Sequence, residues 1–265
     1  MSTYAAEKAS NLKEALESMY SQTVPPDQMV LVLDGSVGHD QEAIIEAYRR
    51  DRRISRTDVL RLPMQQGLAR ALNAGLQLCK GTYVVRMDSD DISTPDRLAI
   101  QLAYFGDHPD TDVLSSWCEE FFEDGAATQL KICPVDHEAI IGALRWRNVL
   151  THPALMIKAD TLRDIGGYRA KFGKLEDYDL FVRLAQSGAR FHAIPKVLVR
   201  MRSSIEQRSR RGGLSYCMHE VRFRTECFRQ GFLSTGQFIA TTTMYLLFRS
   251  TAAVFRRRAY SIARR

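Results

Sequence analysis

The sequence predicts an α/β protein with a mostly parallel central sheet flanked by helices and a helical, arginine-rich C-terminal extension. That assignment rests first on alternation: short apolar runs are separated by helical patterns of about ten to fifteen residues, the signature of βαβ units. It rests next on where the apolar runs end, since two of them close on acids, at Asp34 and at Asp88. The third support is the charge. Residues 200–265 carry 14 Arg against 3 Glu, whereas residues 1–199 carry 23 Lys and Arg against 28 Asp and Glu. A chain of 265 residues, 45% of them hydrophobic, buries a full core. Residues 1–204 are expected to form the main domain and 205–265 the basic extension.

Leu12, Ala15, Leu16, Met19 and Tyr20 recur at helical spacing, and the helix they predict is ended by Pro25 and Pro26. The run from Met29 to Leu33 is a buried parallel strand closed by the turn at Asp34–Gly35. A polar helix over Gln41–Arg50 and a strand from Val59 follow. Leu68, Ala71, Leu72, Gly75 and Leu76 then share one helical face, ahead of a strand at "GTYVVRMD". Thr94 is expected to cap the next helix, with Pro95 at its first position. "DVLSSWCEEFFEDGAATQLKI" predicts two strands joined through "EDG", and "HPALMI" and "PKVLVRM" predict two more. Between those last two lies the helix "LEDYDLFVRLAQ", stopped at Gly188. From Ile205 onward the pattern is helical.

The five cysteines, Cys79, Cys118, Cys133, Cys217 and Cys227, show no metal-site or disulfide spacing, which fits a reducing cytoplasm. The opening residues lack the basic stretch and apolar core of a secretory signal.

Asp88, Asp90 and Asp91 put three carboxylates within four residues, at the end of a predicted strand. Such charges repel and raise one another's pKa unless a cation or donors compensate. An EF-hand is excluded, because Ser93 and Ala99 occupy the positions that require Gly and Glu. Two readings remain open on the residues alone. One is a solvated turn, which short acids favour. The other is a site for Mn²⁺ or Mg²⁺ beside a diphosphate, with Asp34 on the same sheet edge, where open α/β sheets bind ligands.

Five segments in order, "EALESMYSQTVPPDQMVLVLDGS", "QQGLARALNAGL", "GTYVVRMDSDDISTPDRL", "THPALMIKADTLRDIGGY" and "LEDYDLFVRL", resemble the inverting family 2 glycosyltransferases of bacteria. The likeness spans about residues 1–200 and is nearest to the branch that builds exopolysaccharide, capsule and O-antigen units. It implies the GT-A nucleotide-sugar-binding fold, a divalent metal and a nucleotide-sugar donor, usually UDP-linked. On matching positions, Asp34 would bond the uracil edge, Asp90 would contact ribose or share the metal, and Asp91 would ligate the metal from a solvent-facing position. Ser2 and Tyr4 would cradle the base. Leu33 stands where the family often has an acid. Asp88 would either make a turn bond or orient Arg86 or Arg70 near the pyrophosphate. The resemblance makes Asp177 the catalytic base, ahead of Glu176 and then Asp179, although acids at a helix start are commonly dipole-stabilising. His152, at the start of a strand, is either a structural histidine or lines the acceptor or diphosphate site; Gly167 and Tyr168 of the "GGY" turn are acceptor-side candidates, and a helix C-cap accounts for the glycines equally well. Family members also open with a longer strand before a segment like "MSTY", so a native start upstream of Met1 is expected.

The run "FIATTTMYLLF" is too short to span a bilayer. With Arg256–Arg258 and the terminal Arg264–Arg265 it suggests an interfacial helix on anionic lipid, at the inner face of the cell membrane. A packed helix with a solvated basic face is the competing reading. Nucleic acid is not expected as a partner, because aromatic platforms are not interleaved with the basic residues. The reading implied is transfer of a hexosyl or N-acetylhexosaminyl group from a nucleotide sugar to a lipid-diphosphate-linked saccharide. A catalytically weak nucleotide-sugar-binding or scaffold protein is the alternative. A nucleotidyltransferase would need a glycine-rich, basic N-terminal signature that is not present.

Overall fold

The computed structural model describes residues 1–122, 127–203 and 214–250. Two sheets carry the architecture. In the first, β1 (Ser2–Thr3), β2 (Gln28–Leu33) and β3 (Arg56–Arg61) pair in parallel, in that order. Their crossovers are α1 (Ala9–Tyr20) and α2 (His39–Arg50). The helix α1 buries Leu12, Ala15, Leu16, Met19 and Tyr20, the expected face, against Leu31, Leu33 and Ile45. The helix α3 (Leu68–Leu76) lies so close to β2 that a Cβ on Gly75 would sit 2.9 Å from Val32 Cγ2. Glycine here permits contact between helix backbone and strand side chain.

The second sheet runs β4 (Tyr83–Val85), β8 (Met156–Lys158), β6 (Val113–Phe122), β9 (Phe191–Ser203), β5 (Ile92–Ser93), with β7 (Gln129–Lys131) on β6. Here the expectation of a mostly parallel sheet is modified. Only β6 and β9 pair in parallel; the β4–β8, β6–β8, β5–β9 and β6–β7 pairs are antiparallel. Residues 86–91 carry the chain from β4 at one edge of this sheet to β5 at the other, so the two strands do not pair with each other and each meets a later strand in antiparallel. The strand β9 is bulged opposite Ser116–Cys118, where Pro195 interrupts the ladder. The expected "EDG" turn lies outside the described residues.

The helix after β5, α4 (Arg97–Asp107), begins later than expected, with Asp96 at its N-cap. Thr94 does not cap it: its hydroxyl bonds Asp96 Oδ1 at 2.8 Å, and its carbonyl accepts Gln22 Nε2 at 2.7 Å. Gln22 Oε1 instead takes the amide of Leu98 at 3.1 Å. The predicted "HPALMI" strand is likewise shortened, because His152–Ala154 form a 3-10 turn before β8.

The remaining helices are α5 (His137–Leu144), α6 (Ala159–Asp164), α7 (Glu176–Gln186), α8 (Leu214–Arg229) and α9 (Thr235–Ser250). The expected domain division, at residues 204–205, lies outside the described residues. Beyond it, Phe223, Cys227, Phe232 and Leu233 join Tyr178, Leu180 and Phe181 of α7 in one core cluster. Phe223 lies against Tyr178 and Phe172, with centroids 4.7 and 5.5 Å away. The hairpin α8–α9 thus packs directly on the helix that opens with Glu176–Asp177.

Candidate active site

The carboxyl ends of β1 and β2 bring Ser2, Tyr4 and Asp34 to one sheet edge, with the Asp34 amide bonded to Thr3 O at 2.8 Å. Asp34 is 5% exposed, and its carboxylate already accepts two backbone amides, Gln66 N at 2.6 Å and Gly67 N at 2.8 Å. It clamps the loop that enters α3, as anions do at helix starts. A carboxylate has about four acceptor sites, so these bonds do not exhaust it. Arg70 is exposed on the first turn of α3, and the partner of Asp88 is Arg86 instead.

Asp88, Asp90 and Asp91 sit in the link between β4 and β5, with one carboxylate oxygen from each lying within 4.8 Å of the others. Asp91 is not solvent-facing as the sequence suggested. It is 2% exposed, and its Oδ1 accepts the backbone amide of Arg202 at 2.8 Å. Burial, then the charges of Asp88 and Asp90, push its carboxyl well above the usual carboxylate range. Arg202 also donates from Nε to Asp90 O at 3.0 Å and pairs with Glu14, so the end of β9 grips the acidic link. A hard, all-oxygen donor set with repelling, partly desolvated charges fits Mg²⁺ or Mn²⁺.

Two buried arginines support this link. Arg86 is 5% exposed and ion-paired with Asp88, while its Nε and Nη1 have no hydrogen-bond partner among the described residues. Burial opposes its charge, but Asp88 outweighs that and holds it above its ordinary value. Arg97 is fully buried and donates from Nη2 to Arg86 O at 3.0 Å and to Leu155 O at 3.2 Å. Burial lowers its pKa to about 10. It holds the acidic link to the turn carrying His152. Its cue in the sequence is a cation on an apolar helical face, shared with Leu98, Gln101 and Phe105.

His152 is 8% exposed and lies 2.9 Å from the Tyr168 hydroxyl through Nε2. Burial, and then Arg86, lower its pKa well below the ordinary value, so the imidazole is neutral. The "GGY" turn is held by Asn73, which the sequence did not single out. Asn73 accepts Tyr168 N and donates to Tyr168 O, both at 2.8 Å. Gly167 has φ +66°, and a Cβ there would collide with Asn73 Oδ1. The close approach it permits is to Asn73. Asn73→Ala is expected to cost about 2–3 kcal/mol, two hydrogen bonds with their buried partners stranded, read by urea unfolding. A change below about 0.5 kcal/mol would mean the turn holds without it.

Glu176 and Asp177 open α7. Asp177 accepts Asn148 Nδ2 at 2.9 Å on Oδ2 and Tyr178 N at 2.7 Å on Oδ1. Burial, followed by the charge of Asp177, raises Glu176 to about 7; Arg86 and Asp88 also act on it. Glu176 therefore lies within electrostatic reach of Arg86 and Asp88. Asp179 is elsewhere: 2% exposed, it is paired with Arg169 and with Arg183 Nε at 2.8 Å. That engagement leaves it a structural ion pair.

Residues 1–160 match the family described as Glycosyl transferase family 2. The chain is 33% identical over 257 residues to the UDP-Gal:alpha-D-GlcNAc-diphosphoundecaprenol beta-1,3-galactosyltransferase of Escherichia coli, covering 97% of this chain and 92% of that protein. It is 31% identical over 247 residues to the amylovoran biosynthesis glycosyltransferase AmsE of Erwinia amylovora, covering 92% and 91%. Among solved structures, S. aureus TarS 1-349 in complex with UDP-GlcNAc matches with TM-score 0.68 at 16% identity, over 92% of this chain and 71% of that one. The mannosyltransferase PcManGT from Pyrobaculum calidifontis, in complex with GDP-Man and Mn²⁺, matches with TM-score 0.62 at 20% identity, over 86% and 62%. The chain spans 38% of the longer TarS chain. Those identities speak for the fold alone, whereas the family match and the two sequence relatives cover most of the chain. It is a glycosyltransferase of GT-A fold and belongs to glycosyl transferase family 2.

Proposed function

We propose that this chain moves a hexosyl or N-acetylhexosaminyl group from a UDP-sugar to a lipid-diphosphate-linked saccharide, with inversion, in surface polysaccharide assembly. The supporting observation is the Asp88, Asp90 and Asp91 cluster together with Glu176, whose carboxyl feels the charges of Asp177, Arg86 and Asp88. The E. coli relative's name supplies the acceptor class. Ser2, Tyr4 and Asp34 bind the nucleoside, and Asp90 and Asp91 hold Mn²⁺ or Mg²⁺, which supplies positive charge beside the diphosphate. Arg86, buried and ion-paired with Asp88, adds a fixed positive charge beneath the acidic link. Asp177 takes the proton of the acceptor hydroxyl as its oxygen bonds the anomeric carbon. The bond from that carbon to the diphosphate breaks on the opposite face, and UDP leaves with the electron pair. Asn148 fixes the orientation of the Asp177 carboxylate. His152, Gly167, Tyr168 and Glu176 border the acceptor side.

Incubation of the full chain with a panel of UDP-sugars, Mn²⁺ or Mg²⁺ and a diphosphate-linked acceptor tests this, with UDP release and product mass as readouts. Nucleotide exchange without transfer would point to a nucleotidyltransferase, and binding without turnover to a scaffold.

For the membrane, the support is an uncharged exposed arc on α9 that carries Ile239, Ala240, Met244 and Leu246. None of the helices among the described residues is long and apolar enough to cross a bilayer. Arg256–Arg258 and Arg264–Arg265 lie outside the described residues and follow this helix in sequence. Deletion of residues 251–265 is expected to release the protein from anionic vesicles. Cutting at Gly236 would also strip α9, whose Phe238 stacks on Phe228 at 4.9 Å. Binding of the full chain should fall steeply with salt, as charge attraction is screened within a Debye length. Salt-insensitive binding would leave α9 as a packed helix only.

A further inference from the structure

The segment between α5 and the His152 turn reads Arg145-Trp146-Arg147-Asn148. Asn148 Nδ2 bonds the Asp177 carboxylate at 2.9 Å, and Trp146 O accepts Arg224 Nη2 of α8 at 3.5 Å. The segment therefore bridges the proposed base and the C-terminal hairpin. Its backbone is fixed, with the Trp146 and Arg147 amides both bonded to Ala143 O at 2.9 and 3.0 Å. The side chains of its first three residues are exposed. Trp146 is 46% exposed, whereas the other tryptophan, Trp117, is half-buried and donates to Cys133 O at 3.1 Å. Arg145 and Arg147 are exposed and make no ion pair or side-chain hydrogen bond among the described residues.

We propose that Arg145, Trp146 and Arg147 form the acceptor subsite, the arginines taking the diphosphate and the indole a sugar face. This rests on the reading of the acceptor as a lipid-diphosphate-linked saccharide. A saccharide with its hydroxyl at Asp177 and its lipid on the hairpin side crosses this segment with its diphosphate. Guanidinium forks match phosphate oxygens bidentately, and exposed Trp beside Arg is the composition of binding hot spots. The fixed backbone limits the ordering cost of binding to the side chains themselves, and the arginines have no ion pair among the described residues to break first.

The test compares one saccharide carried on a diphosphate-alkyl chain and on a neutral alkyl chain, with full-length protein. Wild type is expected to favour the diphosphate acceptor in kcat/KM. Arg145→Ala/Arg147→Ala should lower that preference by at least about tenfold, through KM rather than kcat. UDP affinity by calorimetry, which reports the donor side and the fold, should stay within about twofold. Arg145→Lys/Arg147→Lys should recover part of the preference. Trp146→Ala should raise KM for both acceptors and Trp146→Phe should restore it. A double variant that keeps the wild-type preference overturns the subsite. A wild type that transfers equally to both acceptors overturns it too, yet leaves the transferase reading standing. A wild type that transfers to neither, with every donor, overturns both.

Discussion

Asp177→Asn is expected to lower turnover by at least about a hundredfold, the low end for loss of a general base, with UDP affinity preserved. The substitution keeps the shape but only one acceptor oxygen: the Tyr178 amide keeps its bond to that oxygen, and Asn148 turns its side-chain oxygen to accept from the new NH₂. What is lost is the capacity to take a proton. On the proposed reading UDP is bound at the other end of the site, by Asp34 and the Asp88–Asp91 link, and calorimetry should show its affinity unchanged. Turnover near wild type would move the base to Glu176, because Asp179, the third acid in the first turn of α7, is locked into ion pairs with Arg169 and Arg183.

Glu176 makes the two assignments separable by pH. Burial and Asp177 raise it from 4.5 to about 7. The folded form therefore binds more protons than the unfolded chain between those values, and stability falls as pH rises through that window. Glu176→Gln should abolish this slope and raise the melting temperature above pH 7 relative to wild type. If Asp177 is the base, Glu176→Gln retains most of its turnover. If Glu176 is the base, the same variant loses it, along with a rate limb near pH 7.

The sequence made the acids legible because each lies at an element end that local patterning reveals. Asp34 and Asp88 follow apolar strands, and Glu176–Asp177 open an amphipathic helix. Their supports were not legible, because each acts across a long separation. Asn73 reaches Tyr168 over 95 residues, Arg202 reaches Asp91 over 111, and Arg97 reaches Leu155 over 58. Periodicity reports which face of a helix is buried, not what a polar group on that face will meet. The same blindness explains Thr94. Its cap signal is sound locally, but Gln22, 72 residues away, takes its carbonyl and supplies an acceptor for the α4 amides. Parallel pairing is legible where helical crossovers enforce it, in β1–β2–β3, and not in the second sheet, where β4 and β5 pair with β8 and β9, strands far away in the sequence.

Asp91→Asn is expected to remove the Mn²⁺-dependent part of UDP affinity, by at least about a hundredfold, the upper end for groups that merely orient a ligand. Asn is the informative replacement because its Oδ1 still accepts the Arg202 amide, so β9 keeps its hold on the link. The metal-free protein should respond in the opposite sense. The Asp91 carboxyl is raised above its ordinary 3.8 by burial and by Asp88 and Asp90. Its ionisation thus costs the folded state stability as pH rises from that value through the raised one. Without metal at pH 7.5, the variant should melt at or above wild type, and at pH 4 the two should converge. With saturating Mn²⁺ and UDP the order should reverse, since only wild type gains the stability that ligand binding confers. An equal Mn²⁺-induced rise in both melting temperatures would remove Asp91 from the metal site and leave its burial as a purely structural anchor for Arg202.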